Sequence, residues 1–170
     1  MKPKGMVETQ RLKHVVELQR TRAADVIDGP YVGLENIESW TGRLTAMADT
    51  QVPSEEVSDG GVGQSQSNSF QPGDILFGKL RPYLAKVWVA EFMGRCTTEA
   101  LVMRAERVEP RFLLYVLLQP SFINAVDSST YGSKMPRAEW DFIGSIRIPV
   151  PPRSTQHAIV GFLNSEVGEL

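Results

Sequence analysis

The run Gly73-Asp74-Ile75-Leu76-Phe77-Gly78-Lys79-Leu80-Arg81-Pro82-Tyr83-Leu84-Ala85-Lys86 constrains the fold of this chain more than any other stretch. Pro72-Gly73-Asp74 reads as a turn and Ile75 to Leu80 as an apolar strand. Pro82 has no N–H to give to a central ladder, so the strand ends near Arg81. Its end is basic: Lys79, Arg81 and Lys86 place three cations within eight residues, with Tyr83 among them. Alternate residues of a strand share a face, so Phe77 is expected to anchor the strand while Lys79 and Arg81 project beyond it.

The rest of the chain has to supply partners for that strand. Arg11 to Arg20 is a short amphipathic element whose period does not separate helix from strand. Pro30 to Ile37 alternates like a strand, and 41–45 reads as a turn into another. Residues 53–69 are a Ser/Gly/Gln-rich loop with little to bury. Leu84 to Ala90 and Cys96 to Met103 read as two more strands. Then the period changes. Glu109-Pro110-Arg111 opens a helix, because proline suits a first turn where its missing N–H has no partner anyway. Phe112 to Leu118 is apolar on every side, the mark of a buried helix. Pro120 interrupts it, and Ser121 to Val126 reads as a second short helix. Glu139 to Ile143 is compact, Ile146 to Val150 is a last strand, and Pro151-Pro152 is a hard break before a helical C-terminus with Ile159, Phe162 and Leu163 on one face.

These elements predict one α/β (α+β) domain: a mixed, mainly antiparallel, strongly curved sheet with packed helices, followed by the start of a C-terminal helix. The expected core is Phe77, Leu80, Val87, Val89, Leu101, Phe112, Leu114, Val116, Leu117 and Phe142. With 170 residues, 42% of them hydrophobic, the chain is long enough to bury such a core. One cysteine excludes an internal disulfide and a thiolate-based structural zinc site, and suits a reducing cytoplasm. Met1 to Glu8 shows no secretory h-region, and the longest apolar run, Phe112 to Leu118, is too short to cross a bilayer.

A net charge of −2 argues against indiscriminate polyanion binding, but the charge is unevenly distributed. Residues 1–22 carry six Lys/Arg against two Asp/Glu, residues 23–73 one against eight, and residues 74–170 eleven against ten. A local basic patch, not the total, sets the field a phosphate feels.

Two runs carry candidate chemistry. Lys79, Arg81, Tyr83 and Lys86 fit phosphate clamping, with Arg81 also able to grip a guanine edge through two parallel hydrogen bonds. The alternative is a strand end decorated with solvated charge. About fifty residues later, Ser129-Thr130-Tyr131-Gly132-Ser133-Lys134-Met135-Pro136-Arg137-Ala138 is rich in hydroxyls, basic, and punctuated by Gly and Pro. Thr130 and Ser133 offer donors, Lys134 and Arg137 add charge, and Gly132 permits close backbone approach. The alternative is an ordinary surface loop with Arg137 paired to Glu139 or Asp141.

Catalytic patterns fare badly. Cys96 with His14 or His157 is conceivable as a nucleophile–base pair, but Cys96 lies in a run that reads as a buried strand. No lysine follows an Asp or Glu by two positions, so the Asp/Glu-x-Lys end of a common nuclease metal site is absent. Val150-Pro151-Pro152-Arg153 is not the Asn/Asp-Pro-Pro-aromatic tetrad of amino-methyltransferases, and no glycine-rich loop follows a strand to cradle phosphates. Neither a cofactor nor a metal is expected.

Taken together, Tyr31 to Ile37, Gly73 to Lys86, Ser128 to Arg137, and Ile146 to Pro152 followed by Gln156 to Leu163 resemble the DNA-specificity subunit of type I restriction–modification systems. The motifs occur in that family's order over about residues 11–167. The resemblance implies a non-catalytic target-recognition domain, 1–152, reading one half of a split site in double-stranded DNA, with 153–170 as the start of a truncated conserved helix. In that family the subunit carries two such domains joined by long helices that dock methyltransferase subunits, which the nuclease–translocase subunit then joins. The implied DNA-contacting residues are Lys79, Arg81, Tyr83, Lys86, Thr130, Ser133, Lys134 and Arg137, with weak self-association possible through the C-terminal helix. Two other readings stay open: a decoy that occupies a methyltransferase docking surface without reading DNA, and a small enzyme centred on Cys96.

Overall fold

The computed structural model describes residues 6–21, 25, 28–45 and 67–168. Its strands are β1 (Thr9–Arg11), β2 (Val16–Gln19), β3 (Tyr31–Val32), β4 (Ser67–Phe70), β5 (Asp74–Gly78), β6 (Val87–Val89), β7 (Gly94–Thr97), β8 (Ala100–Ala105) and β9 (Arg147–Pro149). Its helices are α1 (Pro110–Leu117), α2 (Pro120–Ser128), α3 (Trp140–Ile143) and α4 (Arg153–Val167). The class is the expected one, mixed α/β and mainly antiparallel. The strands, however, form three small sheets instead of one curved sheet: β2-β8-β5-β6, β3-β7-β4 and β1-β9. All pair antiparallel except β3 with β7.

β5 explains this division. All five of its residues are buried, although successive side chains point to opposite faces. A strand apolar on both faces must be covered on both faces. Ile75 and Phe77 join a core with Val87, Leu101 and Met103 beneath α1 and α2. Leu76 joins a second core with Trp88, Val102, Phe70 and Cys96, closed by the three-stranded sheet. In that second core Phe70 meets Trp88 edge-on at 5.7 Å between ring centroids, and Trp88 meets Phe92 at 5.2 Å. The one polar side chain of β5, Asp74, is nearly solvent-free and accepts two hydrogen bonds from Arg104, at 2.9 and 3.0 Å, and one from the Gln71 N–H. A buried carboxylate is tolerated on that condition.

The sheet-to-helix switch falls where the proline pattern puts it. Pro110 opens α1, and the Glu109 side chain accepts from the Phe112 N–H at 2.6 Å, capping the helix. Phe112, Leu113, Leu114, Val116 and Leu117 are all buried, worth about 1.5–3 kcal/mol each relative to exposure. α4 is tied to α1 by Gln156, which is buried, accepts from the Glu109 N–H at 2.8 Å and donates to the Pro151 carbonyl at 2.8 Å. The Tyr115 hydroxyl donates to Asn164 at 2.5 Å, about two turns further along α4.

Several expectations need correction. Cys96 to Met103 is not one strand: Thr98-Glu99 turns the chain from β7 into β8, which lie in different sheets. Arg11 to Arg20 is two strands around a 3-10 turn at Leu12–His14. The 31–37 strand stops at Val32, since Leu34–Asn36 forms a 3-10 turn capped by the Asn36 side chain, and 41–45 contributes only a bridge from Leu44 to Ile37. Ser67 to Ser69, assigned to a loop, lies in β4, while 53–66 falls outside the described residues. Leu80 is only half-buried because the chain has already left β5, and Phe142 is 40% exposed on the outer side of the one-turn α3. The other expected core residues are buried.

Candidate functional site

The two basic runs meet. As the chain leaves β5 it runs alongside residues 136–138 as an irregular antiparallel ribbon. The Arg81 N–H donates to the Pro136 carbonyl at 2.8 Å, and the Ala138 N–H to the Lys79 carbonyl at 2.9 Å. The Lys79 N–H in turn donates to the Glu99 carbonyl at 2.9 Å, fastening the β7–β8 turn to the same ribbon. Three segments distant in sequence thus form one edge through main-chain bonds.

The conformation of that edge is unusual. Arg81, Ala85 and Trp40 have φ of 49°, 45° and 68°, in the left-handed region that costs a non-glycine residue roughly 1–2 kcal/mol. Arg81 and Ala85 bracket a 3-10 turn at Pro82–Leu84, and the Trp40 N–H donates to the Ala85 carbonyl at 3.0 Å. The tight turn presents Tyr83 outward, 47% exposed. Strain of this kind concentrates at functional loops. Gly132, at φ 90°, makes the corresponding reversal in the second run.

Each expected contact residue has a definite place. Arg81 is exposed, and its Nη2 reaches the Lys134 carbonyl at 3.4 Å. Ser133 and Lys134 are exposed at the loop tip. Lys79 is half-buried in a cleft of about 230 Å³ that it shares with Arg20, Asn68, Glu139 and Trp140. The remaining three have structural partners. Lys86 Nζ donates to the Ile37 carbonyl at 2.6 Å, Thr130 Oγ1 donates to the Asp127 carbonyl at 2.8 Å at the end of α2, and Arg137 is paired. That partner is Glu99, not Glu139 or Asp141. Arg137 Nε lies 3.0 and 3.1 Å from the two carboxylate oxygens, and Nη2 2.7 Å from one. The same hydrogen bond and charge hold the guanidinium further into its charged form. Because Arg81 is left-handed and lies outside β5, the simple strand alternation of Phe77, Lys79 and Arg81 does not apply.

Four residues at this edge were missed by sequence reasoning. Trp40 is 44% exposed, Tyr131 63% and Met135 47%, an unusual concentration of large apolar side chains facing solvent. Tyr131 donates its hydroxyl to Glu139 at 2.9 Å, which raises its pKa. Glu99 is the fourth. Its signal was an acid directly after Thr97-Thr98 in the run Cys96 to Met103, the place where a single strand is least plausible.

Among the described residues no base is hydrogen-bonded to Cys96. It is fully buried in β7, and burial pushes its thiol up to about 12. Among the described residues no cluster of His, Cys, Asp or Glu is arranged to hold a metal ion, and no helix is long and apolar enough to cross a membrane.

Comparison with known proteins gives the family and the fold. Residues 6–166 match the model of the type I restriction modification DNA specificity domain. Over 125 residues, 74% of its length, the chain is 29% identical to the EcoDI specificity subunit of a type I restriction enzyme of Escherichia coli, of which it spans 26%. Among solved structures it superposes on the HsdS subunit from Thermoanaerobacter tengcongensis with a TM-score of 0.72 at 24% identity, covering 96% of this chain and 42% of that one. A chain solved in work on complex assembly of the type I R-M system gives a TM-score of 0.73 at 20% identity, covering 98% and 43%. At these identities the structural likeness carries the fold alone.

Proposed function

Since the chain belongs to the type I restriction modification DNA specificity domain family, we propose that it reads one half of a split site in double-stranded DNA, without turnover of its own. The observation that carries this is the shared edge: main-chain bonds bring Lys79, Arg81, Tyr83, Ser133 and Lys134 together from runs some fifty residues apart. Phosphate contacts fix the register of a protein on a duplex, and contacts to base edges give it sequence preference. Lys79 and Lys134 are suited to the first role. Arg81, Tyr83, Ser133 and Arg137 are suited to the second. Lys86 and Thr130 use polar atoms to hold the surrounding backbone, and two of the three ammonium protons of Lys86 are left for a phosphate.

Residues 1–152 are the recognition unit in this reading, and α4 is the helix through which a methyltransferase subunit docks in the cytoplasm. A nuclease–translocase subunit joins through that methyltransferase, and weak self-association uses the Phe162 side of α4, where Phe162 is 63% exposed. The buried, weakly acidic Cys96 thiol supports a binding role over a catalytic one.

Selection from randomised duplex DNA, with and without a methyltransferase subunit, tests the reading. We expect one short conserved half-site, bound by the chain alone with a Kd on the order of micromolar. Recovery of no preferred sequence under either condition would overturn it.

A further inference from the structure

The way Glu99 holds Arg137 leaves a specific part of the guanidinium free. The carboxylate takes the side edge, Nε and Nη2, at 2.7 to 3.1 Å. Nη1 and the second Nη2 proton form the opposite, end-on fork. That fork is the geometry that pairs bidentately with O6 and N7 of guanine in the major groove. A lone arginine has many rotamers to lose on binding, whereas one clamped along its side edge has already lost most of them. Glu99 is itself well placed for this. It sits on the two-residue turn between β7 and β8, its side chain is 25% exposed, and its carbonyl accepts from the Lys79 N–H. One residue thus locks the backbone of the first basic run and the side chain of the second.

We propose that Glu99 is a specificity-determining positioning residue, which presents the end-on fork of Arg137 to a guanine and cancels its charge toward bulk phosphate. This rests on the DNA-reading role proposed above. The cancellation matters because an unpaired arginine attracts any phosphate. A carboxylate beside it penalises sequences that do not offer the fork its two acceptors, so discrimination rises while overall attraction falls.

The experiment compares the full chain with Glu99→Gln and Arg137→Ala, each taken through selection from randomised duplex DNA and then titrated against the recovered duplex and an unrelated one over a salt series. Glutamine keeps the side-chain size and one acceptor, and thermal melts check that each variant folds. In Arg137→Ala we expect one guanine preference to fall by about 5- to 150-fold. In Glu99→Gln we expect the same position to relax, while binding to the unrelated duplex strengthens and its salt slope steepens by about 0.9, the share of one freed cation. Two results would overturn the proposal. One is uniform weakening of both duplexes by Glu99→Gln with every base preference intact, the signature of a purely structural residue. The other is a uniform loss in Arg137→Ala with a shallower salt slope, the signature of a phosphate contact. If the unmodified chain selects no sequence at all, the DNA-reading role itself fails, a result distinct from either.

Discussion

At the residue scale, the buried Asp74 and Cys96 behave as structure. Asp74 is satisfied by Arg104 and a main-chain N–H, and Cys96 lies in an apolar core. Burial raises the folded-state pKa of Cys96 from 9.0 to about 12, so the thiol stays protonated across the physiological range. At pH 8 the native chain should react with a disulfide reagent far more slowly than the urea-unfolded chain, as followed by released thiolate. A raised folded pKa also fixes the sign of the pH dependence. The contribution of this group is fully present below about pH 9 and is lost as pH climbs toward about 12, because the unfolded chain gives up the proton first. Rapid labelling of the folded protein at pH 8 would contradict this. Sequence reasoning placed Cys96 correctly in a strand. It did not find Glu99, because the partner of that acid shows only once β7 and β8 separate into different sheets.

At the element scale, the helices were the most legible part, since proline and an all-round apolar run leave few alternatives. Short strands were the least legible. Where an element has three or four residues, its period is too brief to tell a strand from a 3-10 turn, as at Leu12–His14 and Leu34–Asn36. Gln156 decides how α4 sits. It is 1% exposed and satisfies both a donor at the start of α1 and an acceptor before α4. Gln156→Ala should leave the Glu109 N–H and Pro151 carbonyl without partners and cost about 2 kcal/mol, seen as a lower urea midpoint at unchanged slope. A midpoint within error of the parent would mean that water replaces the amide without loss.

At the scale of the whole molecule, charge arrangement matters more than charge total. A chain of net charge −2 places Arg81, Ser133 and Lys134 on one exposed edge with exposed Tyr83 and Tyr131. That edge was half legible. Both runs stood out by composition, but their main-chain pairing is a property of topology, and the share of Trp40 in it has no sequence signal beyond an exposed aromatic. Lys134 makes no side-chain bond that would fix it to the body of the protein among the described residues. Lys134→Ala should therefore leave thermal stability unchanged. It should weaken cognate and unrelated duplexes alike and make the salt slope shallower by about 0.9, read by anisotropy titration over a range of salt. Loss of preference at a single base position would instead make Lys134 a reader of sequence.

The ribbon joining 79–81, 99 and 136–138 is made of N–H and C=O groups, which every residue but proline supplies alike. Its stability is largely indifferent to the side chains it displays, so mutation can revise them without re-solving the folding problem. The freedom is uneven. Position 81 carries a left-handed backbone, which glycine, asparagine or aspartate tolerate better than branched residues, so its permitted alphabet is narrow. Positions 133 and 134, exposed at a loop tip, have no such restriction. Inherited variation in the side chains of this edge is thus expected to accumulate first at the tip of the second run and last at the strained turn of the first.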